Sequence, residues 1–408
     1  MVWQVGNYIV PLATFPYLTR VLGAAHFGVL GYATAIATYG MLVTEWGFFL
    51  SGPKAVVERR GQPGLLNELV WSTMIAKGCL CAISFVILLV IARFDSKLAL
   101  VCPVVLAAWL TVIGNVFTLN WLLQGLERFS VFSAVALTGR FLTLPLTFVF
   151  VHRSSDVAIA AGIQGGSAIF TGFFSLIAVW RLGVLRRPCA SASSVWLRIR
   201  EGADMFVSSA SVSLFSVTNA VILASMTTPY QVGIYIAADK LKTAGNMVPA
   251  QITTVCYPRV TALFSTQSRA AARLTVIGAA ATFSTTVAGA LAFIYLSAPL
   301  STFVLGAGFQ GASSVLKLLC FATVFGNLAY FLGLQVLVPF GSARTRSMIM
   351  LAAGVLNVAL AIVLTPRFGA DGAAASFLLA EMAILVIYVA MILSKPSLRN
   401  HFAQLLNR

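Results

Sequence analysis

Residues 69–92, LVWSTMIAKGCLCAISFVILLVIA, are a run of 24 residues in which Lys77 is the only charged side chain. About 20 apolar residues are enough for a helix to cross the roughly 30 Å hydrocarbon core of a bilayer, so this run predicts a transmembrane helix. Comparable runs follow along the chain, separated by charges or by Gly and Pro, and predict about twelve spans. They lie at residues 2–19, 27–50, 69–92, 98–119, 130–151, 157–180, 203–226, 231–257, 274–297, 312–339, 346–365 and 370–393.

The composition of the whole chain is typical of a multi-pass membrane protein. Of 408 residues, 59% are hydrophobic and 9% are charged, whereas soluble domains carry about 25% charged residues. The net charge of +16 does not indicate nucleic-acid binding, because the Lys and Arg residues are scattered between apolar runs. The sequence contains no Cys/His cluster, phosphate-binding loop or hydrolase motif. We therefore predict no catalytic residue, no metal site and no cofactor.

The widest polar interval away from the chain ends lies between Arg181 and Gly202. It holds five arginines and a Ser-rich stretch, and it divides the predicted spans into six plus six. We therefore predict an all-α protein with two six-helix bundles. The predicted domains are an N-terminal bundle at 1–187, a basic cytoplasmic linker at 188–202, and a C-terminal bundle with a short tail at 203–408.

A weak internal repeat supports this division. An offset of 205 residues superposes Gly28 on Gly233, and Pro53-Lys54 on Pro258-Arg259. The matched segments keep the same orientation after an even number of helices, which predicts a parallel pseudo-repeat with its axis along the membrane normal.

The basic residues between the spans are distributed unequally. Assigning the loops alternately to two sides places 17 Lys and Arg residues on the side of both termini. The opposite side has five, namely Arg20, Arg93, Lys97, Arg153 and Arg367. The positive-inside rule then predicts that both termini lie in the cytoplasm.

Several short motifs occur in a fixed order along the chain. They are Asn7-Tyr8, Pro11-Leu12, Pro16-Tyr17-Leu18, Arg20-Val21-Leu22-Gly23, Phe27-Gly28, Glu45-Trp46-Gly47-Phe48, Trp121-Leu122-Leu123-Gln124-Gly125-Leu126-Glu127 and Tyr257-Pro258-Arg259. Together with about twelve spans, this order resembles the O-antigen and polysaccharide flippases of the multidrug, oligosaccharidyl-lipid and polysaccharide exporter superfamily. The resemblance implies a bacterial inner-membrane transporter of a lipid-linked glycan.

Charged side chains inside predicted spans mark the candidate site, because each costs about 2.5–3.5 kcal/mol to insert into a bilayer. They are Glu45, Lys77, Arg140, Asp204, Asp239, Lys240, Lys242, Lys317 and Glu381. We select Lys77, Arg140, Asp239, Lys242, Asn246 and Glu381 as candidate substrate residues, and Asp239, Glu45 and Glu381 as candidate H⁺- or Na⁺-coupling residues. Amides inside spans could bond sugar hydroxyls or hold helices together. These are Asn7, Asn115, Gln164, Asn219, Asn246, Gln251, Asn327, Gln335 and Asn357.

A structural role is the alternative for each of these charges. Asp239, Lys242, Asn246 and Thr253 recur at helical spacing on one face of the eighth predicted span. Asp239 and Lys242 could therefore form an ion pair within the bundle, without touching substrate. Lys77 and Arg140 could likewise be paired with Glu45 or Glu381.

The predicted function combines the resemblance with the charges. An undecaprenyl-diphosphate-linked oligosaccharide has an anionic, hydroxyl-rich head that needs a cationic polar path, while its tail can remain in lipid. Two bundles rocking about a cationic central cavity would expose that path first to the cytoplasm and then to the periplasm. The alternatives are an exporter of drugs or metabolites with the same fold and a membrane-embedded polysaccharide polymerase or ligase. Expected partners are the lipid-linked glycan, membrane lipids and polysaccharide polymerase machinery.

Overall fold

The computed structural model describes residues 2–266 and 268–396. Within these ranges, side chains are described except at residues 2–12, 204, 207–209, 211–216, 264–266 and 268. Two polar residues predicted inside spans, Asn7 and Asp204, therefore lie outside the described residues. The described chain is helical and contains no strand, which confirms the all-α fold class.

Sixteen α-helices make up most of the described chain. They are α1 (Val2–Glu45), α2 (Phe48–Glu58), α3 (Pro63–Phe94), α4 (Ser96–Leu100), α5 (Cys102–Phe117), α6 (Asn120–Gly125), α7 (Phe129–Phe150), α8 (Val157–Arg181), α9 (Ala192–Ser216), α10 (Thr218–Met226), α11 (Pro229–Gly245), α12 (Met247–Thr266), α13 (Ser268–Tyr295), α14 (Ser297–Pro299), α15 (Ala312–Leu332) and α16 (Ala343–Ser394). Short 3-10 turns at Ser154–Asp156 and Ala307–Phe309 and π-helical turns at Leu300–Leu305 and Gly333–Leu337 complete the order.

Eight segments of the described chain are long and apolar enough to cross a bilayer. Two of them, Ala13–Glu58 and Ala343–Ser394, contain 46 and 52 residues, about twice the length that a bilayer requires. Each is broken by a glycine with a left-handed backbone, Gly23 at φ 69° and Gly369 at φ 57°. Gly23 divides α1 (Val2–Glu45, 44 residues) and Gly369 divides α16 (Ala343–Ser394, 52 residues) near their midpoints, so each of these two helices provides two spans. Because α9 to α12 occupy the region of the two remaining predicted spans, the helices fit the expected count of about twelve.

Helix α3 has the polarity of a membrane helix. Its exposed residues include the apolar Ile83, Val86 and Val90, whereas Lys77 and Ser84 are buried. A soluble helix buries its apolar face and exposes its charges. The reversed pattern indicates that lipid surrounds α3 and that its polar side chains face protein.

Helix α9 begins at Ala192, inside the interval predicted as a linker, and not near residue 203. Two local causes explain the earlier start. The Ser191 hydroxyl accepts a hydrogen bond from the Ser194 N–H at 3.1 Å, as a helix N-cap does. Val195 and Ile199 then pack against Phe48, so the first turns of α9 are held by tertiary contacts.

The eighth predicted span, expected as one helix over 231–257, is broken between Gly245 and Met247. Pro249 explains the break, because it lacks an N–H and its ring clashes with the carbonyl four residues earlier, at Gly245. Thr253, expected on the same helical face as Asp239, therefore lies beyond the break, on α12.

Helices α12 and α13 extend past the predicted span ends. Arg259 and Arg269, expected in a loop, lie on these helices. A helix can continue beyond the hydrocarbon because the long arginine side chains reach water or headgroups.

The chain forms two compact units, Met1–Ser213 and Leu214–Arg408, called unit 1 and unit 2 below. This boundary lies within α9, whereas the sequence placed the division at residues 188–202. Unit 1 has a core around Trp121 and Leu122, and unit 2 has one around Tyr388 and Val336.

Close helix packing in unit 1 depends on small residues. A Cβ atom added at Gly114 of α5 would lie 2.5 Å from the backbone carbon of Ala168 on α8. One added at Gly165 of α8 would lie 2.5 Å from the Cβ of Leu110. Glycine at these positions lets the two backbones approach, as is common between membrane helices.

Candidate functional site

In unit 1, three helices meet at an ion pair. Lys77 on α3 donates to the Glu45 carboxylate at the end of α1, with 2.6 Å between Nζ and Oε2. Lys77 also donates to the backbone carbonyl of Asn115 on α5 at 3.3 Å, and the Asn115 amide donates to Glu45 Oε2 at 3.0 Å. The Lys77 side chain is 1% exposed and that of Glu45 is 25% exposed. We call these three residues the unit 1 cluster.

The backbone fixes the Glu45 carboxylate at an unfavourable end of a helix. Glu45 is the last residue of α1, and the chain then turns through Trp46 and Gly47, at φ 44° and 79°. The C-terminal end of a helix carries partial negative charge and repels a carboxylate. The Lys77 ammonium offsets this repulsion, which gives the pair a structural purpose.

In unit 2, an ion pair lies within a single helix. Lys242 donates to Asp239 Oδ1 at 2.5 Å, one turn earlier on α11. The Lys242 side chain is 11% exposed and that of Asp239 is 36% exposed. The Lys242 ammonium also lies 4.7 Å from the ring centroid of Phe377 on α16, close enough for a cation–π contact.

A small recess adjoins this pair. It is lined by Lys242, Gly245, Asn246, Thr286, Gly289, Ala290, Phe293, Cys320 and Thr323. The Asn327 amide on α15 donates to Asn246 Oδ1 at 3.1 Å and to the Thr286 hydroxyl at 3.2 Å. The recess therefore offers an ammonium, amides and hydroxyls, the groups that can bond both phosphate and sugar oxygens.

Glu381 of α16 completes this region. Gly326 on α15 makes room for it, because a Cβ atom added there would lie 2.7 Å from the Glu381 carboxylate carbon. The carboxylate is close enough to Lys242 for the two charges to interact. We call Asp239, Lys242, Asn246, Thr286, Asn327 and Glu381 the unit 2 cluster.

The other charged residues predicted inside spans belong to neither cluster. Arg140 lies on α7 with an exposed side chain, and Lys240 and Lys317 are also exposed. Thr253 is buried, and its backbone carbonyl accepts a hydrogen bond from Gln335 at 3.1 Å. Among the described residues, no group of three or more His, Cys, Asp or Glu side chains could hold a metal ion.

The sequence pattern did not single out the cluster members Asn115, Thr286 and Asn327, nor Phe377, which contacts Lys242. Asn115 and Asn327 were two among nine amides within spans, and nothing in their spacing showed that they bridge helices. Phe377 precedes Glu381 by one helical turn and therefore shares its face. An aromatic residue at that spacing is the signal that could have paired it with a nearby cation.

Comparison with known proteins gives a family and a fold. A family model described as polysaccharide biosynthesis protein matches residues 1–264. A protein of Escherichia coli (strain K12) named "Putative O-antigen transporter" is 28% identical over 384 residues, which cover 93% of this chain and 91% of the relative. A protein of the same name from Shigella dysenteriae is 23% identical over 380 residues, covering 93% and 95% of the two chains.

Solved structures of transporters have the same fold. The lipid II flippase MurJ in an inward closed conformation matches with a TM-score of 0.73 at 12% identity, over 99% of this chain and 89% of that one. An inward-facing multidrug resistance transporter of the MATE family also matches with a TM-score of 0.73, at 14% identity over 100% and 95% of the two chains.

Proposed function

Because the chain belongs to the polysaccharide biosynthesis protein family, we propose that it is a flippase for a lipid-linked oligosaccharide. Its substrate is an undecaprenyl-diphosphate-linked repeat unit of O-antigen or another surface polysaccharide. The protein moves the head of this lipid from the cytoplasmic to the periplasmic leaflet of a bacterial inner membrane. Both termini lie in the cytoplasm in this proposal.

The observation that carries the proposal is the unit 2 cluster. It places a lysine, amides and hydroxyls beside one recess between helices. A diphosphate needs cationic donors, and sugar hydroxyls need partners that both donate and accept. Polar groups at membrane depth are costly, and such groups commonly mark substrate paths.

The two lysines have different roles in this proposal. Lys77 has a carboxylate and a carbonyl within bonding distance and is 1% exposed, so it holds three helices together. Lys242 borders the recess and has a half-exposed partner, so Asp239 can release it to a phosphate. Arg140, exposed on α7, is the candidate cation of unit 1.

Coupling to an ion gradient is part of the proposal. Glu381 and Asp239 both lie near Lys242. When phosphate draws the ammonium away, a carboxylate is left without its cation, and it can then take up H⁺ or Na⁺. Glu45 is a weaker coupling candidate, since Lys77 and Asn115 already satisfy it.

The fold alone does not separate a glycan flippase from a multidrug exporter, since both kinds of structure match equally well. The family match and the two full-length relatives favour the flippase. They also argue against a membrane-embedded polymerase or ligase. Polysaccharide polymerase machinery is then a partner of the flippase and not its own activity.

Complementation tests the proposal. The gene is expressed in a bacterial strain that lacks its own O-antigen flippase and makes the matching repeat unit, and surface glycan is measured beside the protein level in membranes. We expect wild-type protein to restore surface glycan and Lys242→Gln to restore little at equal protein level. Full-level protein that never restores glycan in strains making several repeat units would contradict the proposal.

A further inference from the structure

The segment that joins α8 to α9 displays arginines in a fixed arrangement. Asn67 on α3 receives a hydrogen bond from the Arg186 N–H at 2.7 Å and donates one to the Arg187 carbonyl at 2.9 Å. Trp71, one turn later, donates to the Arg186 carbonyl at 3.1 Å. The backbone of this dipeptide is therefore bound to α3, while both arginine side chains remain exposed.

The charges of these arginines are not neutralised within the part of the chain that the structure describes. Arg186 donates from Nε only to the nearby Gly183 carbonyl at 3.4 Å. Among the described residues, Arg186, Arg187 and Arg200 form no ion pair. Arg198, by contrast, is buried and pairs with Glu201 at 2.8 Å. Three fixed cations are thus left for a partner outside the unit.

Aromatic and aliphatic side chains accompany the three arginines. Trp180 at the end of α8 and Trp196 on α9 are each 66% exposed, and Leu197 is 46% exposed. The opposite side of α9 packs inward through Val195 and Ile199. We call Trp180, Arg186, Arg187, Trp196, Leu197 and Arg200 the linker surface.

The location of the linker surface at the ends of two spanning helices indicates which environment it meets. It lies where α8, a spanning helix, ends at Arg181 and where α3, another spanning helix, begins at Pro63. The ends of spanning helices are expected at the boundary between hydrocarbon and water, the depth at which tryptophan is enriched. A helix with basic side chains and exposed Trp and Leu is typical of segments that lie on a lipid surface.

We propose that the linker surface binds the headgroups of anionic phospholipids, with the arginines on phosphate and with Trp196 and Leu197 among the acyl chains. Charge complementarity favours an anionic over a zwitterionic lipid. The exposed apolar residues favour a lipid over a free anion, which has nothing to place against them. This site is separate from the proposed transport function, which does not require it.

Lipid-dependent stability tests the proposal. Purified full-length protein in a neutral detergent is titrated with phosphatidylglycerol or phosphatidylcholine, and the unfolding midpoint is followed by circular dichroism. We expect phosphatidylglycerol to raise the wild-type midpoint more than phosphatidylcholine does. The variant Arg186→Gln/Arg187→Gln/Arg200→Gln should lose at least about half of that difference, and high salt should reduce it in the wild type.

A matched control removes the same charge at the other end of unit 1. The variant Arg93→Gln/Lys97→Gln/Arg153→Gln should keep the wild-type difference. Replacing the three linker arginines by lysine should retain most of it, because the charges survive. Each variant is compared with its own midpoint in phosphatidylcholine, so a change in basal stability does not obscure the result.

Several outcomes would overturn the proposal. Equal effects of the two lipids on wild-type protein, or equal losses in the linker and control variants, would show that the linker surface does not select anionic lipid. Inorganic phosphate that reproduces the full effect of phosphatidylglycerol would identify a free-anion site instead. Quenching by brominated phosphatidylglycerol should be weaker in Trp196→Phe than in the wild type, and equal quenching would place Trp196 outside the lipid.

Discussion

The two units differ in how a lysine within their helices is paired and buried. In unit 1, Lys77 is 1% exposed and joins α1, α3 and α5 through Glu45 and Asn115. In unit 2, Lys242 is paired one turn away on its own helix, with Asp239 36% exposed, beside an open recess. A pair that connects three helices holds a bundle together. The Asp239–Lys242 pair lies within one helix and reaches a second helix through the contact of Lys242 with Phe377 on α16. We therefore assign it a smaller part in holding the bundle together and a role in transport.

From this difference we infer a structural role for the unit 1 pair and a transport role for the unit 2 pair. Removing one partner of a buried pair leaves an uncompensated charge, whereas an exposed partner remains hydrated. The unit 1 cluster should therefore govern stability. The unit 2 cluster should govern glycan export with little effect on stability.

The largest effect on stability is expected at Lys77. Lys77→Gln removes the cation that pairs with the Glu45 carboxylate at a helix C-terminus and leaves the Asn115 amide as a neutral donor to it. The loss should reach about 3 kcal/mol, the lower end for a broken buried pair, because Glu45 keeps a quarter of its side chain exposed. Unfolding of the purified protein and its level in membranes measure this loss. The control is Lys97→Gln, which replaces an exposed lysine. Equal stability of the two variants would contradict a stabilising role for the Lys77–Glu45 pair.

A smaller loss is expected at Asn327, which donates to two residues that line the recess of unit 2, Asn246 and Thr286. Asn327→Ala leaves those two oxygens without their donor, at a cost of about 1–2 kcal/mol. Glycan export should fall further than this loss of stability explains, because Asn246 loses its fixed orientation. Normal export per unit of membrane protein would remove Asn327 and Asn246 from the site.

Gly326 offers a test of whether the position of the Glu381 carboxylate matters for export. Gly326→Ala places a methyl group 2.7 Å from the carboxylate carbon, so the flexible end of Glu381 must move at a cost of about 1 kcal/mol. We expect reduced export with a nearly unchanged unfolding midpoint. Gly166→Ala is the matched control, since a Cβ atom there meets nothing within 4 Å. Identical export by the two variants would exclude a role for the position of Glu381.

The smallest effect on stability is expected at Lys242. Lys242→Gln should cost below about 1 kcal/mol, because the Asp239 side chain is 36% exposed and its pair with Lys242 lies within one helix. Export should nevertheless fall about tenfold or more, since a cationic donor to phosphate is worth at least about 1.4 kcal/mol. Lys242→Arg should retain part of it. A loss of export that merely follows a loss of protein would contradict this division.

Hydropathy predicted the spans closely where lipid alone determines them. Helix α8 was expected at 157–180 and occupies Val157–Arg181, and α7 was expected at 130–151 and occupies Phe129–Phe150. The start of α9 could not be predicted, because it depends on a Ser191 cap and on contacts with Phe48. Both causes are tertiary or local and leave no trace in average hydropathy.

The sequence predicted which charged residues belong to the candidate site, but not which of them contact one another across helices. The free-energy cost of placing a charged side chain in a bilayer identified the candidate residues from the sequence. They include Lys77, Glu45, Asp239, Lys242 and Glu381. Helical spacing could pair Asp239 with Lys242, because they lie on one helix. It could not choose between Glu45 and Glu381 as the partner of Lys77, since contacts between helices depend on the packing of the whole bundle.

Two double variants measured side by side test whether the unit 1 pair is structural and the unit 2 pair serves transport. Glu45→Gln/Lys77→Gln and Asp239→Asn/Lys242→Gln each remove both charges of one pair, so neither leaves an uncompensated carboxylate or ammonium. Surface glycan in a strain without its own flippase is divided by the protein level in membranes. We predict that the unit 1 double variant recovers export near the wild-type value, while the unit 2 double variant exports no better than Lys242→Gln alone. Full export by Asp239→Asn/Lys242→Gln would contradict the account, because Lys242 would then serve only its own ion pair.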